Sequence, residues 1–195
     1  WSSDVCSSDL SLGFFIIPFT TPFVNPLINP KDTIMPSLEE RIQRLEDIDA
    51  IKQLKAKYLH SCDIKDIEGI RDCFSANEIT IDYGAIGTFS DRDSFLDVFQ
   101  AMACNKHTID MHHGQNPQIH WINTEKASAC WDLYFYQVNT ETQNLTQLGG
   151  SYADEYEKQN DQWVMVKTAF VISSTVVSEI KEDNAKVVFA GSSFS

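Results

Sequence analysis

A chain of 195 residues, 43% hydrophobic and 22% charged, has the make-up of a globular protein with one sizeable core. Its formal net charge of −13 argues against nucleic acid and anionic membranes as partners. Five cysteines (Cys6, Cys62, Cys73, Cys104 and Cys130) lie scattered without a CxxC pair, which excludes a disulfide framework and a zinc pattern and suits reduced thiols in the cytoplasm.

Residues 1–10 contain a near-repeat of Ser-Ser-Asp with no usable period and resemble translated adapter sequence. The apolar run Phe14–Ile17 is followed by Pro18, Pro22, Pro26 and Pro30, so it is broken and too short to span a bilayer. Residues 1–34 are therefore expected to be a non-native or disordered leader, with Met35 as the start of the domain. The domain itself is expected to span residues 35–180, and residues 181–195 to form a tail.

Ser37 and Glu40 have capping-box spacing and predict a helix start. Leu38, Ile42, Leu45, Ile48, Ile51, Leu54, Tyr58 and Cys62 then recur every three or four residues, which predicts one apolar stripe with a possible break near Asp47. Asp66 opens a second short helical piece. Residues 78–83 alternate as a strand ending at Gly84 and Gly87, and Asp91 to Ala103 forms a third helical pattern. Four strand-like segments follow, at 108–122, 126–139, 146–158 and 162–176, separated by polar connections. Helices, one strand, a helix and then a run of long strands predict an α+β fold. Its helices should pack on a curved antiparallel or mixed sheet, as a cone-shaped barrel enclosing a pocket.

The chemistry-bearing residues gather at two places in the chain. Tyr58 and Asp63 lie at the end of the first helix, and His112 and His113 lie in the stretch Met111–Pro117. Tyr, Asp and His together can transfer protons without a metal or cofactor. The same residues also have ordinary uses, since a Tyr at a helix end packs and an Asp just beyond caps the next helix. Five residues of straight helix turn by about 500°, so a shared face for Tyr58 and Asp63 requires the helix to end before Asp63. On a strand only one of His112 and His113 can face a pocket. His107 and His120 are expected at the surface or rim. Asp110, His112 and His120 lack a tight metal-ligand spacing, so no metal is expected.

This order of elements, with the residues at its corners, resembles the nuclear transport factor 2-like superfamily and, within it, the SnoaL-like group. The matching stretches are Ala56–Asp66, the Phe74–Ile79 lead into a strand, His112–Ile119, Gly150–Tyr156 and Gln162–Met165. The resemblance covers roughly residues 36–176. It implies the conical fold and a cofactor-free elimination of the kind run by scytalone dehydratase, bile-acid 7α-dehydratase and a dehydrochlorinase. Tyr58, Asp63 and His112 or His113 would be the catalytic residues, with His112 favoured by the family's spacing of four residues to Asn116. Tyr83, Trp131, Tyr152 and Lys167 are the expected substrate-binding residues. Where such enzymes often carry an Arg about five residues after the last-strand Trp, this chain has Thr168, with Lys167 beside it. The implied function is a cofactor-independent lyase or isomerase acting on a hydrophobic ring compound such as a steroid or polyketide. The alternative is a non-catalytic domain that binds a small apolar molecule in the same cavity. A homo-oligomer is expected from large residues on both faces of the long strands, and the resemblance implies a trimer before a dimer.

Overall fold

A computed structural model describes residues 36–181 and 183–191; the expected leader at 1–34 lies outside the described residues. Helix α1 spans Leu38–Ile64 and begins with the predicted capping box. Ser37 Oγ accepts the Glu40 N–H at 3.1 Å, and the Glu40 carboxylate accepts the Ser37 N–H at 2.7 Å. The helix does not break at Asp47. That carboxylate turns inward, accepting the Trp163 indole N–H at 2.9 Å and meeting Lys158 at 2.6 Å, so a polar group on the buried face is fully paired. The apolar stripe is buried only in part, because Leu38 and Leu45 are more than half exposed while Ile51, Tyr58, Leu59 and Cys62 enter the core.

The end of α1 corrects the expected geometry. The helix continues through Asp63 and closes at Lys65, whose left-handed φ of 61° directs its N–H onto the carbonyls of Ser61 and Cys62. Asp66, not Asp63, caps the short helix α2 (Ile67–Arg71), accepting the Gly69 N–H at 2.9 Å. Strands β1 (Thr80–Asp82) and β2 (Thr88–Phe89) flank a single 3-10 turn, and Asp91 caps α3 (Arg92–Ala103).

Four long strands complete the domain: β3 (Thr108–Trp121), β4 (Lys126–Asn139), β5 (Asn144–Gln159) and β6 (Gln162–Glu179). The sheet order is β2-β1-β6-β5-β4-β3, antiparallel except for the parallel β1–β6 pair, so it is mixed and open with β2 and β3 at its edges. This is the α+β architecture the sequence predicts. Asn160 and Asp161 both adopt positive φ, as a tight hairpin between β5 and β6 demands. The register of β5 against β6 shifts between Gly149 and Gly150, which pair with Ser174 and Ile172, so a bulge in β6 leaves Ser173 as the extra residue. A Cβ on Gly150 would lie 2.5 Å from both the Phe170 ring and the Val171 carbonyl oxygen. Only glycine lets the two strands approach this closely, and the bulge bends the sheet around the space beside Phe170.

Candidate active site

A cavity of about 400 Å³ lies between α1, α3 and the concave side of the sheet. Helix α3 contributes Phe95 and Phe99, the sheet contributes Leu133, Phe135, Leu148, Tyr152 and Phe170, and Tyr83 closes the β1 side. Polar groups enter this apolar shell at few points, as in a site that binds by area and orients by a few hydrogen bonds.

The first such point is His112. Alternation along β3 pairs it with Phe135 of β4, and both line the cavity; the rings lie 4.6 Å apart between centroids. Its Nδ1 lies 2.6 Å from Asp63 Oδ1. The backbone N–H of His112 donates to the same carboxylate, at 3.0 and 3.2 Å to its two oxygens. Because β3 is an edge strand, this N–H has no strand partner, and Asp63 supplies one from α1. One carboxylate thus anchors the strand and holds the imidazole in the tautomer that carries its proton on Nδ1. The other ring nitrogen, Nε2, is left with a lone pair and can accept a proton.

The second point is a pair of phenols. The hydroxyls of Tyr58 and Tyr83 lie 2.6 Å apart. If one donates to the other, the second keeps its O–H for a ligand. Burial, reinforced by each other's proximity, raises the Tyr58 pKa well above that of a free phenol, and burial likewise raises that of Tyr83. Both stay protonated donors at neutral pH. Tyr58 and Asp63 do not share a face of α1, and they do not need to: Tyr58 reaches the cavity, while Asp63 approaches His112 from the helix side.

Beneath this layer lies a cation that the sequence reading did not single out. Lys55, one turn before Tyr58, is fully buried and meets Asp154 of β5 at 2.8 Å. Its ammonium stands 3.5 Å from the centroid of the Tyr152 ring and 5.2 Å from that of Tyr58. Asp154 also accepts the Tyr156 hydroxyl at 2.7 Å, and Tyr156 in turn accepts the Trp131 indole N–H at 3.2 Å. Thr168 is fully buried in register with Asp154. The interior cation sought on the last strand therefore comes from α1. A Lys on an apolar helix face opposite an Asp on a late strand leaves no local sequence signal.

Three expected site residues fall outside the cavity. His113 pairs with the exposed Tyr134 and lies at an open groove between α1 and β3. Trp131 is buried in the Tyr156–Asp154 network and borders that same groove. Lys167 turns to the solvent face, where it pairs with Glu155 at 2.9 Å. Its register beside the inward Thr168 dictates this, because neighbouring strand residues face opposite ways. Tyr58, Tyr83, His112 and Tyr152 do converge on the cavity, with Asp63 directly behind His112. Among the described residues no group of three or more His, Cys, Asp or Glu side chains gathers to hold a metal, and no helix is long and apolar enough to cross a membrane.

Residues 43–169 match the profile of the SnoaL-like domain. A hexachlorocyclohexane dehydrochlorinase (LinA, type 2) superposes with a TM-score of 0.67 at 18% identity, over 77% of this chain and 97% of that one. A candidate scytalone dehydratase from Novosphingobium aromaticivorans gives a TM-score of 0.66 at 16% identity, over 77% and 99%. The type 3 LinA from Novosphingobium barchaimii gives 0.66 at 17% identity, over 75% and 98%. At these identities the likeness establishes a common fold.

Proposed function

Because this chain belongs to the SnoaL-like domain family, we propose that it is a cofactor-independent lyase or isomerase acting on a hydrophobic ring compound, such as a steroid or polyketide. The observation that carries this reading is the 2.6 Å contact of Asp63 with His112 at the wall of an apolar cavity that also holds the Tyr58–Tyr83 pair. His112 Nε2 takes a proton from the carbon next to a carbonyl. The electron pair moves onto the carbonyl oxygen, where the Tyr58–Tyr83 pair donates a hydrogen bond to the developing charge. In an elimination the enolate then expels a β-hydroxyl, which leaves as water with the proton returned by the imidazolium. Asp63 keeps the imidazole oriented throughout and stabilises its protonated form. The dehydratase and dehydrochlorinase names of the structural neighbours agree with eliminations of this type.

The test is incubation in D2O with a panel of steroid and polyketide-type hydroxy-ketones. Wild type is expected to exchange the proton next to the carbonyl or to form the unsaturated product, and His112→Ala to do neither. If wild type does neither while His112→Ala lowers ligand affinity, these residues are recognition groups of a binding domain. We also propose a homo-oligomer, trimer before dimer. Val171, Ile172, Val176 and Val177 on β6 are each more than half exposed, apolar side chains on both faces of the strand that a second copy would cover in part. Sedimentation at micromolar concentration separates this from a monomer.

A further inference from the structure

The cavity is not uniformly apolar. Along β3 and β4 the residues that face it form cross-strand rows, and the row next to His112–Phe135 is Asp110–Gln137. The row beyond is Thr108–Asn139, and it also lines the cavity. Two residues along a strand advance by about 6.6 Å, so this polar end begins about that far from the imidazole.

Asp110 is held there at some cost. Its carboxylate forms an ion pair with Lys65, whose side chain is wholly buried, while the Asp110 side chain is 6% exposed. Removing both charges from water is unfavourable unless further hydrogen bonds satisfy them. Lys65 also occupies the left-handed position at the end of α1, with φ 61°, where glycine is the usual residue. Neither the fold of α1 nor the β3–β4 pairing requires a carboxylate at this wall. Gln137 Nε2 donates to Asp110 Oδ1 at 2.9 Å, which leaves the Gln137 carbonyl oxygen as an acceptor. Among the described residues Gln137 donates to Oδ1 and Lys65 to Oδ2, and a carboxylate oxygen can accept more than one hydrogen bond. The exposed sum of this cluster is acceptor capacity without net charge. A carboxylate ligand group would meet the charge of Asp110, and an ammonium group would meet that of Lys65.

We propose that Asp110 and Gln137 form a subsite for a neutral hydrogen-bond donor, a hydroxyl, at the end of the bound molecule remote from the carbon that His112 addresses. The subsite rests on the cavity described above as the binding site, and it makes Asp110 and Gln137 specificity-determining residues. It takes no part in the proton transfer.

The experiment is calorimetric binding of three ketones to the full chain: 4-phenylcyclohexanone, its 4-hydroxyphenyl analogue and its 4-methoxyphenyl analogue. Wild type is expected to bind the hydroxyphenyl compound about tenfold more tightly than the other two, as suits one hydrogen bond to a charged group. The variant Lys65→Met/Asp110→Leu removes both charges together and is expected to bring the three affinities within about twofold of one another. Gln137→Leu, which leaves the ion pair whole, is expected to lower the preference to about threefold; it carries the test if the double variant does not fold. Equal binding of the three ketones by wild type, retention of the full preference in the variants, or no binding at all overturns the subsite. Deuterium exchange beside the carbonyl of 4-phenylcyclohexanone, followed in the same samples, reads the His112 proposal alone. The two can therefore fail separately.

Discussion

Helix α1 presents two acid–base pairs to the sheet, two turns apart, and they differ in one respect. Lys55 and Asp154 are sealed, with side-chain exposures of 1% and 0%, whereas His112 and Asp63 keep 17% and 19%. Both pairs are close and both border aromatic rings. The sealed pair presents almost no side-chain surface to a ligand, so its role is to neutralise charge inside the core. The open pair sits at a cavity wall with a ring nitrogen free. Access, more than contact distance, separates a structural ion pair from a reactive one.

Breaking each pair should therefore give opposite results. Lys55→Met leaves Asp154 buried and uncompensated, and the expected loss of stability is about 3–5 kcal/mol. Lys55→Met/Asp154→Leu should recover most of it, because matched apolar groups carry no desolvation penalty. His112→Ala should lower turnover about 10²–10⁴-fold and shift the denaturation midpoint little, since its ring faces free volume. Urea titrations of the three variants read the contrast, and comparable destabilisation by His112→Ala would erase it. Next in size is Tyr58→Phe, which deletes only the donor. The expected cost in turnover is about 2–4 kcal/mol, with the affinity for an unreactive analogue held within about tenfold.

Much of this arrangement is legible in the sequence, for identifiable reasons. Ser37, Asp66 and Asp91 mark helix starts through short-range hydrogen bonds, and the long strands declare themselves by alternation and polar turns. Alternation narrows the cavity histidine to one of His112 and His113, and the resemblance to the SnoaL-like group favours His112. What escapes is set by long-range register. Whether Lys167 or Thr168 faces inward depends on how β6 docks on β1, and the Lys55–Asp154 and Lys65–Asp110 pairs join residues 99 and 45 positions apart. The helix end departs from the sequence expectation for a related reason. Tyr58 and Asp63 need no common face, because the edge strand β3 receives Asp63 from the side while the cavity receives Tyr58.

The smallest effect concerns pH, and it sets the sealed core against the cavity wall once more. Burial raises the pKa of Tyr58, Tyr83, Tyr152 and Tyr156, and pushes the thiols of Cys62 and Cys73 up to about 12 and about 11 from an ordinary 9.0. All six are acids that the folded chain holds protonated after the unfolded chain has lost the proton. The stability they contribute is full below pH 9.0 for the thiols and 10.0 for the phenols, their unfolded values, and is lost as pH rises further. Lys55 acts with the opposite sign. Burial lowers its pKa from 10.5, so between its folded and unfolded values the unfolded chain carries the extra proton and stability rises with pH. This amine opposes those six acids and Cys104, whose thiol burial also raises, and its contribution stops changing at its unfolded value, where the phenols are still losing protons. The urea midpoint of wild type is therefore expected to fall from pH 9 to pH 11, most steeply above pH 10. Tyr58→Phe removes one of these acids at the cavity wall and should make the fall shallower, while Lys55→Met/Asp154→Leu removes the opposing amine and should make it steeper. A midpoint that stays level or rises to pH 11 would mean that these phenols and thiols are open to water, and with them the floor of the cavity.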